Sequence, residues 1–335
     1  MLLVDCLYIN YGGGKVLLEY LIQHLEQNYL GNVYYIFDKR CQGEFDFIPN
    51  DRRVYLKASI ISRIKFYLFK GRMFSKIFCF GNIPPPIKVK AKVFTYFHQR
   101  MFLEIPGEMS IKTKIALYLK ISYFKYLLSH SDSWIVQTGL MKKGLNHSFR
   151  ISLDQINVFP FYPNEDLINN NYTRDLSYVY VSDVSPHKNH ELLIESFCAF
   201  YDKSKVGILK LTVADQYVNI IDLINTKVKM GYPIINYGFV NRGTIVKMYN
   251  ESKFLIYPSS SESFGLGIIE SIECGCAVIG ANLEYMYEVC SPSLSFDLTL
   301  ESLVHTFEKS LIKFKKTEQK LFNEINTMVK FLYNA

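Results

Sequence analysis

Short apolar runs alternate with longer amphipathic stretches along most of the chain. In the first half, six such runs are rich in β-branched and aromatic residues and too short for helices: LLVDCLYI, NVYYIFD, RRVYLKA, KIFCFGN, AKVFTYFH and SWIVQT. They are apolar on both faces, as strands of a buried parallel sheet are. Patterns of helical period such as GKVLLEYLIQHLEQ stand between them. This half is therefore predicted to alternate strand and helix.

The second half repeats this pattern with the runs SYVYVSD, LKLTVAD, PIINYGF, KFLIYPS and AVIGAN. Repeated alternation predicts an α/β fold of two doubly wound, Rossmann-like domains. The segment PFYPNEDLINNNYTRD, residues 160–175, has two prolines and several asparagines, so we place the domain break there. We expect the two domains to face each other across a cleft, with ligands beyond the carboxyl ends of the strands.

Composition supports two well-packed domains. The chain has 335 residues, of which 49% are hydrophobic and 21% charged, so each half can bury a core and disorder is excluded. No run approaches the ~18 uncharged apolar residues of a membrane-spanning helix. The N-terminal MLLVDCLYIN has an acid in its apolar stretch and no basic region before it, so we expect no signal peptide and a cytoplasmic chain. Seven cysteines without a CxxC pair predict reduced core thiols.

Positive charge is concentrated in one segment. The chain carries a net charge of +7, and residues 52 to 125 hold 16 basic against 2 acidic residues, interleaved with Phe and Tyr. The stretches at residues 59–78 and 111–128 mix Lys and Arg with apolar residues at near-helical spacing, which favours an anionic membrane surface. Nucleic-acid binding is disfavoured because no recognition module accompanies the charge. A simple solvated surface is the other alternative.

A glycine-rich turn follows the first predicted strand. The sequence NYGGGKVLL is not a P-loop, because Ile9 stands at the first Gly position and Val16 at the Ser/Thr position, and it lacks Rossmann G-x-G-x-x-G spacing. Its glycines, including Gly13 and Gly14, precede a helix whose free N–H groups favour an anion. A tight turn without a ligand is the alternative.

A second candidate lies in SPHKN, after the strand SYVYVSD. Ser185 is predicted to cap a helix with Pro186 at its first position, which places His187 and Lys188 in the first turn. A lysine opposes the helix dipole there unless a polyanion docks beside it. The alternative is a solvated surface lysine.

The third candidate is FLIYPSSSESFGLGIIESIECGCAVIGAN, residues 254–282. It predicts a strand, a loop, a helix from about Phe264 to Cys274 with Gly275 as its cap, and a strand. Glu262 lies in the loop and Glu270 in the helix, eight positions later. Carboxylates accept two hydroxyl donors at once, so they suit the diol of a ribose and the hydroxyls of a sugar. Glu270 as an ordinary exposed helix residue is the alternative.

These motifs resemble glycosyltransferase family 4, whose members have the GT-B architecture and retain anomeric configuration. ESFGLGIIE matches the family's E-x7-E signature, SPHKN resembles its Lys-Asn turn, INYGFV its strand–Gly segment beside the base, and YGGGKVLL its N-terminal glycine loop. The resemblance is strong over about residues 178–290 and weak over the first half. The glycosyltransferase motif at residues 262–270 is specific, and the other three are supportive.

The resemblance implies a donor site and a division of the chain. Glu262 would position the donor sugar, Glu270 the ribose, and Lys188 the diphosphate, which the glycine loop would meet from across the cleft. His98, at the end of VFTYFH, resembles the family's cleft histidine; a structural histidine is the alternative. The implied catalytic residues are Glu262, His98 and Lys188, and the implied donor-binding residues are Gly13, Gly14, Lys188, Asn189, Gly238, Phe239, Glu262, Phe264, Gly265, Leu266 and Glu270.

The implied domains are an acceptor-binding domain at residues 1–165, a donor-binding domain at 166–320, and a C-terminal helix at 321–335 that returns to the first domain. The family places an Arg five or six residues before the Lys, where this chain has Asp183 and Ser182. His187 and Arg242 are the candidates to replace it. There is no Asp-x-Asp, so no metal and no other cofactor is expected.

The predicted function is a retaining glycosyltransferase that moves a sugar from a UDP- or GDP-sugar to a lipid-linked saccharide in bacterial surface polysaccharide assembly, such as O-antigen, lipopolysaccharide or capsule. The basic-aromatic stretches predict peripheral association with the inner face of the plasma membrane. A transferase with a soluble acceptor is one alternative, and a non-catalytic protein that binds nucleotide-sugars or membranes is the other.

Overall fold

The computed structural model describes residues 1–29, 31–105, 111–163 and 172–334. The chain forms two compact units: unit 1 is Met1–Pro163 with Phe322–Ala335, and unit 2 is Asn164–Leu321. The predicted boundary between residues 165 and 166 lies outside the described residues. The assignment of acceptor binding to one half and donor binding to the other stays a prediction.

Unit 1 contains a seven-stranded parallel sheet in the order β3-β2-β1-β4-β5-β6-β7. Its central strands are almost entirely buried, because helices cover both faces of such a sheet, whereas the edge strands β3 and β7 are mostly half-buried. Their bounds are β1 Leu2–Asp5, β2 Val33–Asp38, β3 Arg53–Leu56, β4 Lys76–Cys79, β5 Lys92–Tyr96, β6 Ser133–Val136 and β7 Ile156–Val158.

Four helices of unit 1 follow strands of this sheet: α1 Gly12–Asn28, α2 Ile60–Lys70, α3 Ile111–Leu127 and α4 Gly139–Phe149. Side-chain hydroxyls cap the N-termini of α2 and α4. The Ser59 hydroxyl oxygen accepts from the Ser62 amide at 3.1 Å, and the Thr138 hydroxyl oxygen accepts from the Met141 amide at 3.2 Å. The predicted glycine turn is itself helical, since α1 begins at Gly12.

Unit 2 repeats the arrangement with a six-stranded parallel sheet in the order β10-β9-β8-β11-β12-β14. This is the doubly wound order, in which the first strand stands beside the fourth. The bounds are β8 Asp175–Tyr180, β9 Ile208–Leu211, β10 Ile234–Asn236, β11 Ser252–Tyr257, β12 Ala277–Ala281 and β14 Leu294–Phe296. A separate antiparallel pair joins β13 Cys290–Ser291 to β15 Glu318–Gln319.

The helices of unit 2 are α5 His190–Ser204, α6 Val218–Lys229, α7 Arg242–Glu251, α8 Leu266–Glu273, α9 Glu284–Val289 and α10 Leu300–Ile312. The prediction for the start of α5 was wrong. Residues 186–188 form a separate 3-10 turn, and Asn189 follows in the left-handed region at φ 53°, so the α-helix begins only at His190. The Ser185 side chain makes no capping hydrogen bond to a backbone amide; its hydroxyl lies 3.2 Å from Nδ1 of His187.

The last helix, α11 Ile325–Asn334, packs on unit 1. The Glu324 amide donates to the Pro160 carbonyl at 2.6 Å. Phe331 lies against Phe94 with ring centroids 5.5 Å apart, and Tyr333 stacks on Tyr29 at 4.5 Å.

All seven cysteines are buried free thiols, as the sequence predicted. Burial raises the pKa of the Cys79, Cys274, Cys276 and Cys290 thiols to about 12, so they stay protonated and unreactive. Within the described ranges, no helix has both the length and the apolar character needed to cross a membrane.

Candidate active site

The loops after β8 and β11 meet at the carboxyl ends of these two neighbouring strands. This is the point of a doubly wound sheet where the connections diverge to opposite faces and ligands bind. Lys188, from the first loop, forms an ion pair between its Nζ and Oε1 of Glu262, from the second. The side chains are only 16% and 12% exposed, so the alternative of a solvated surface lysine is wrong.

Several hydrogen bonds hold the two loops together. The Ser260 amide donates to the His187 carbonyl at 2.7 Å. The Asn189 side-chain amide donates to the Pro258 carbonyl at 2.8 Å. On the β8 side alone, the Tyr180 hydroxyl donates to the Lys188 carbonyl at 3.0 Å. Asn189, predicted to bind the donor, therefore uses its side chain to fix the turn that carries Lys188.

Tyr257 completes this charged pair. Its hydroxyl donates to Oε1 of Glu262 at 3.0 Å, and its ring lies beneath Nζ of Lys188 at 5.7 Å from the centroid. Burial and the Glu262 charge raise the pKa of Tyr257 well above its ordinary value, so it remains a hydrogen-bond donor. The group can present an ammonium and a carboxylate in fixed positions.

The second carboxylate is also paired. Glu270 lies in α8, where Nη1 of Arg242, the first residue of α7, contacts its Oε1 at 2.5 Å. Glu270 is buried, so the alternative of an ordinary exposed helix residue is wrong. Tyr249 packs beside it, and the Glu270 charge adds to burial in raising the pKa of the Tyr249 hydroxyl.

Helix α8 begins two residues after the predicted start. Gly265 has φ 75°, which favours glycine, and a Cβ there would lie 2.8 Å from the Ile268 side chain. Phe264 is buried, so its side chain belongs to the core, whereas Leu266 opens the helix and remains partly exposed. The helix ends at Glu273, and Gly275 follows at φ 87°.

The loop after β10 contributes Gly238 and Phe239. Gly238 has φ 67°, and its amide donates to the Asn236 side chain at 3.3 Å. The Phe239 ring is 91% exposed. An exposed aromatic face at the carboxyl end of a strand can stack on a planar base.

The positions where the resemblance expects an Arg do not supply a cation. The Ser182 amide donates to the Thr212 hydroxyl oxygen at 3.3 Å, and the Asp183 carboxylate accepts from the Tyr217 hydroxyl. Burial lowers the pKa of His187, and the adjacent Lys188 lowers it further. His187 is therefore neutral near pH 7 and does not replace the Arg.

Unit 1 brings three predicted residues together. Gly13 and Gly14 lie in the first turn of α1, and a Cβ on Gly14 would be 3.4 Å from Nε2 of His98, which follows β5. Gly14 thus leaves room for the imidazole. The prediction that this turn meets a diphosphate stays a prediction.

Asn82, which follows β4, fixes the His98 ring. Its side-chain oxygen accepts from the His98 amide at 2.7 Å, so its NH₂ group faces Nε2 at 3.2 Å. Nε2 must then accept, and the proton is assigned to Nδ1. Burial lowers the pKa of His98 to about 4, so the ring is neutral near pH 7 and is a weak base. Its Nδ1 is buried and has no hydrogen-bond partner among the described residues.

The basic-aromatic stretches are only partly surface. Arg63 is buried, and its Nε contacts Asp5 Oδ2 at 2.8 Å, while its other nitrogens donate to the carbonyls of Ile83 and Pro84 at 2.8 Å. Residues 76–78 belong to the buried strand β4, so their assignment to a membrane surface was wrong. We define the basic-aromatic surface by the exposed basic and large apolar residues that remain: Ile60, Ile61, Lys65, Leu68, Phe69, Lys70, Arg72, Met73, Ile111, Lys112, Ile115, Tyr118, Leu119, Lys120, Lys125 and Tyr126.

No group of three His, Cys, Asp or Glu side chains in the described part of the chain is arranged to hold a metal ion. The expectation that the reaction needs none stays a prediction.

Residues 163–293 match the family model described as glycosyl transferases group 1. The match covers 131 of the 335 residues, about 39% of the chain, and we call this matched segment the group 1 domain. The group 1 domain includes every candidate residue of unit 2, from Lys188 to Glu270. It confirms the predicted relation to glycosyltransferases, whereas the E-x7-E assignment and the retaining course stay predictions.

One curated relative is the serotype-specific mannosyltransferase WbdA of Escherichia coli, 26% identical over 110 residues. The match covers 32% of this chain and 14% of that protein, so the chain aligns with about one seventh of WbdA.

Two solved structures are similar in fold to nearly the whole chain, so the structural similarity includes both units. Anabaena HepE, in complex with UDP and glucose, is 11% identical, with a TM-score of 0.66 over 93% of this chain and 90% of that one. WaaG, a glycosyltransferase involved in lipopolysaccharide biosynthesis, is 10% identical, with a TM-score of 0.64 over 93% and 91%. These matches confirm the predicted fold class, a GT-B pair of Rossmann-like domains.

Sequence reasoning missed Tyr257 and Asn82, and it left the partner of Glu270 open. Tyr257 is the last residue of β11 and Asn82 lies shortly after β4, so position at a strand end was the available signal. Tyrosine and asparagine are common enough at such places that this signal alone could not select them.

Proposed function

We propose that the protein is a retaining glycosyltransferase that moves a sugar from a UDP- or GDP-sugar to a lipid-linked saccharide in bacterial surface polysaccharide assembly. The observation that carries the proposal is the Lys188–Glu262 pair at the carboxyl ends of β8 and β11, inside the group 1 domain. WaaG acts in lipopolysaccharide biosynthesis and HepE was solved with UDP and glucose, which favours this donor class and setting.

In the proposed mechanism, Lys188 neutralises the charge that develops on the leaving diphosphate, because a preorganised cation costs no reorganisation during reaction. The backbone N–H groups of Gly265 and Leu266, at the start of α8, add hydrogen-bond donors that also favour the anionic diphosphate. Glu262 accepts hydroxyls of the donor sugar, Glu270 those of the ribose, and the exposed ring of Phe239 stacks on the base.

The acceptor hydroxyl attacks from the face that the diphosphate leaves, and the leaving phosphate oxygen takes its proton. Retention of configuration follows, and no protein base is required. This suits His98, whose lowered pKa makes it a poor base. In this proposal unit 1 binds the acceptor.

The test is transfer of radiolabel from UDP- and GDP-sugars into the organic-extractable fraction of bacterial membranes, followed by nuclear magnetic resonance of the new linkage. Label in lipid with the donor's anomeric configuration is expected. Label only in a water-soluble product would support the soluble-acceptor alternative, and an inverted linkage would refute the retaining mechanism.

We propose further that the basic-aromatic surface binds an anionic membrane at the inner face of the plasma membrane. It combines exposed lysines with exposed apolar side chains such as Leu68 and Phe69, the second of which is 84% exposed. Lysines contribute about 1 kcal/mol each near anionic lipid, and apolar rings insert at the interface.

Sedimentation with phosphatidylglycerol vesicles tests this surface. Lys65→Gln should weaken binding about fivefold, with a larger loss for Lys65→Gln/Phe69→Ser, and salt should weaken wild-type binding. The control is Lys203→Gln, which removes an exposed lysine from unit 2. Equal binding to phosphatidylcholine, or an unchanged double variant, would contradict the assignment.

A further inference from the structure

Arg242 contacts the carboxylate to which the proposed function assigns the ribose. Its Nη1 lies 2.5 Å from Oε1 of Glu270, and the two side chains are 28% and 10% exposed. A guanidinium is planar and always charged, so it orients a carboxylate more strictly than a lysine can. The pair therefore fixes the direction of the Glu270 carboxylate.

The fold places Arg242 where helix electrostatics alone would not favour it. Asn241 caps α7, its Oδ1 accepting from the Thr244 amide at 2.9 Å, so Arg242 stands in the first turn. A cation at a helix N-terminus opposes the helix dipole. The ion pair with the Glu270 carboxylate offsets this cost and stabilises the arginine in the first turn.

The packing of α7 on α8 sets the distance between the two residues. Gly267, one turn before Glu270, has no side chain, and a Cβ there would lie 3.1 Å from the Tyr249 hydroxyl on α7. The close approach of the helices lets Arg242 reach Oε1 from the neighbouring helix.

We propose that Arg242 is a positioning residue for nucleotide recognition, which holds Glu270 so that this carboxylate accepts the ribose hydroxyls and does not itself bind the diphosphate. The inference rests on the proposed nucleotide-sugar function. It also means that Arg242 does not replace the family Arg, so Lys188 is the principal side-chain cation for the diphosphate.

The test compares ribose with dideoxyribose ligands by isothermal titration calorimetry. Wild type, Arg242→Gln and Arg242→Lys are titrated with UDP, GDP and their 2′,3′-dideoxy analogues. Wild type should prefer the ribose form by about tenfold or more, since hydrogen bonds to a charged group are lost in the analogue. Arg242→Gln should lose most of that preference and keep its dideoxy affinity within about threefold. Arg242→Lys should retain part of the preference.

Two controls separate positioning from folding. Lys247→Gln removes a lysine of α7 that pairs with Glu251 at 3.7 Å, away from Glu270, and should behave as wild type. Glu270→Gln should lose the ribose preference by itself. Adding Arg242→Gln to it should remove no further preference, because Arg242 acts on the ribose only through this carboxylate.

Three results would overturn the proposal. Equal weakening of ribose and dideoxy ligands by Arg242→Gln would place Arg242 on the diphosphate. Unchanged affinities in Arg242→Gln would deny it any role. A further loss in the Glu270→Gln background would show that it acts through another group. Failure of wild type to bind any of the nucleotides would instead refute the proposed function, and this inference with it.

Discussion

At the scale of single residues, the candidate donor site is a cluster whose charges are already paired. Lys188 meets Glu262 and Arg242 meets Glu270, so two cations and two carboxylates balance within unit 2. A diphosphate can recruit Lys188 only if Glu262 finds other donors, and sugar hydroxyls provide them. Donor binding is therefore expected to exchange the partners of this pair.

Lys188→Met tests the role of the ammonium. Loss of a charge-assisted contact should weaken binding of UDP or GDP at least about tenfold, measured by calorimetry. Lys203→Met is the matched control, since Lys203 also pairs with a glutamate, Glu308, at 2.9 Å but is largely exposed. Equal affinities of Lys188→Met and wild type would contradict the assignment.

The lowered pKa of His98, about 4, makes a prediction about activity. Because the ring is neutral from pH 8 down to well below 6, its titration should produce no loss of nucleotide release across that range. The pH profiles of wild type and His98→Gln should have the same shape, although the variant turns over more slowly. A fall in the wild-type rate of nucleotide release below about pH 6.5 that is absent in His98→Gln would show that the histidine works as a base.

At the scale of elements, Arg174 fixes the ends of the two helices that carry Arg242 and Glu270. Its guanidinium donates to the carbonyl of Tyr249, in the last turn of α7, and to that of Ser252, the residue after α7. It also donates to the carbonyl of Cys274, after α8. Last-turn carbonyls lack partners within their helix, so one arginine satisfies both ends.

Gly275→Ala should disturb this arrangement. The residue has φ 87°, and a Cβ would lie 2.8 Å from Nη2 of Arg174. Gly231→Ala is the matched control, because φ is 93° there but nothing lies within 4 Å. Left-handed strain costs each variant about 1 kcal/mol, and Gly275→Ala should lose more in thermal or urea unfolding. Equal losses would mean that Arg174 moves aside without cost.

At the scale of the whole molecule, the two parallel sheets were predictable from the sequence, but the edge strands β7 and β14 were not. The short two-sided apolar runs became strands, but β7 and β14, of three residues each, lie outside the runs that the sequence pattern singled out. Likewise, the spacing of Glu262 and Glu270 indicated a site, while the contact of Glu262 with Lys188 joins residues 74 positions apart. Arg63 looked like surface because its partner, Asp5, lies on another element.

Buried histidine should also make the folded chain sensitive to acid. Burial, with the Lys188 charge, lowers the pKa of His190 to about 4, below the ~6.5 of an unfolded chain. Between those values the unfolded state binds the extra proton, so the free energy of unfolding should fall by up to about 1.4 kcal/mol per unit decrease in pH. Urea unfolding at pH 7, 6 and 5 should show a shallower slope for His190→Gln than for wild type or for His147→Gln, which alters an exposed histidine. Identical slopes would contradict this.

The central claim is that the Lys188–Glu262 pair serves a nucleotide-sugar, and the most direct measurement is nucleotide release from a panel of UDP- and GDP-sugars with a membrane lipid extract as acceptor source. Wild type should release nucleotide from one donor, and Glu262→Gln should be slower by about 100-fold or more, the scale of removing one preorganised group. The control is Glu308→Gln, which is an isosteric change that removes the carboxylate charge from the exposed Lys203–Glu308 pair. It should release nucleotide at the wild-type rate. Release that Glu262→Gln leaves unchanged, or no binding of any donor by wild type, would contradict the account.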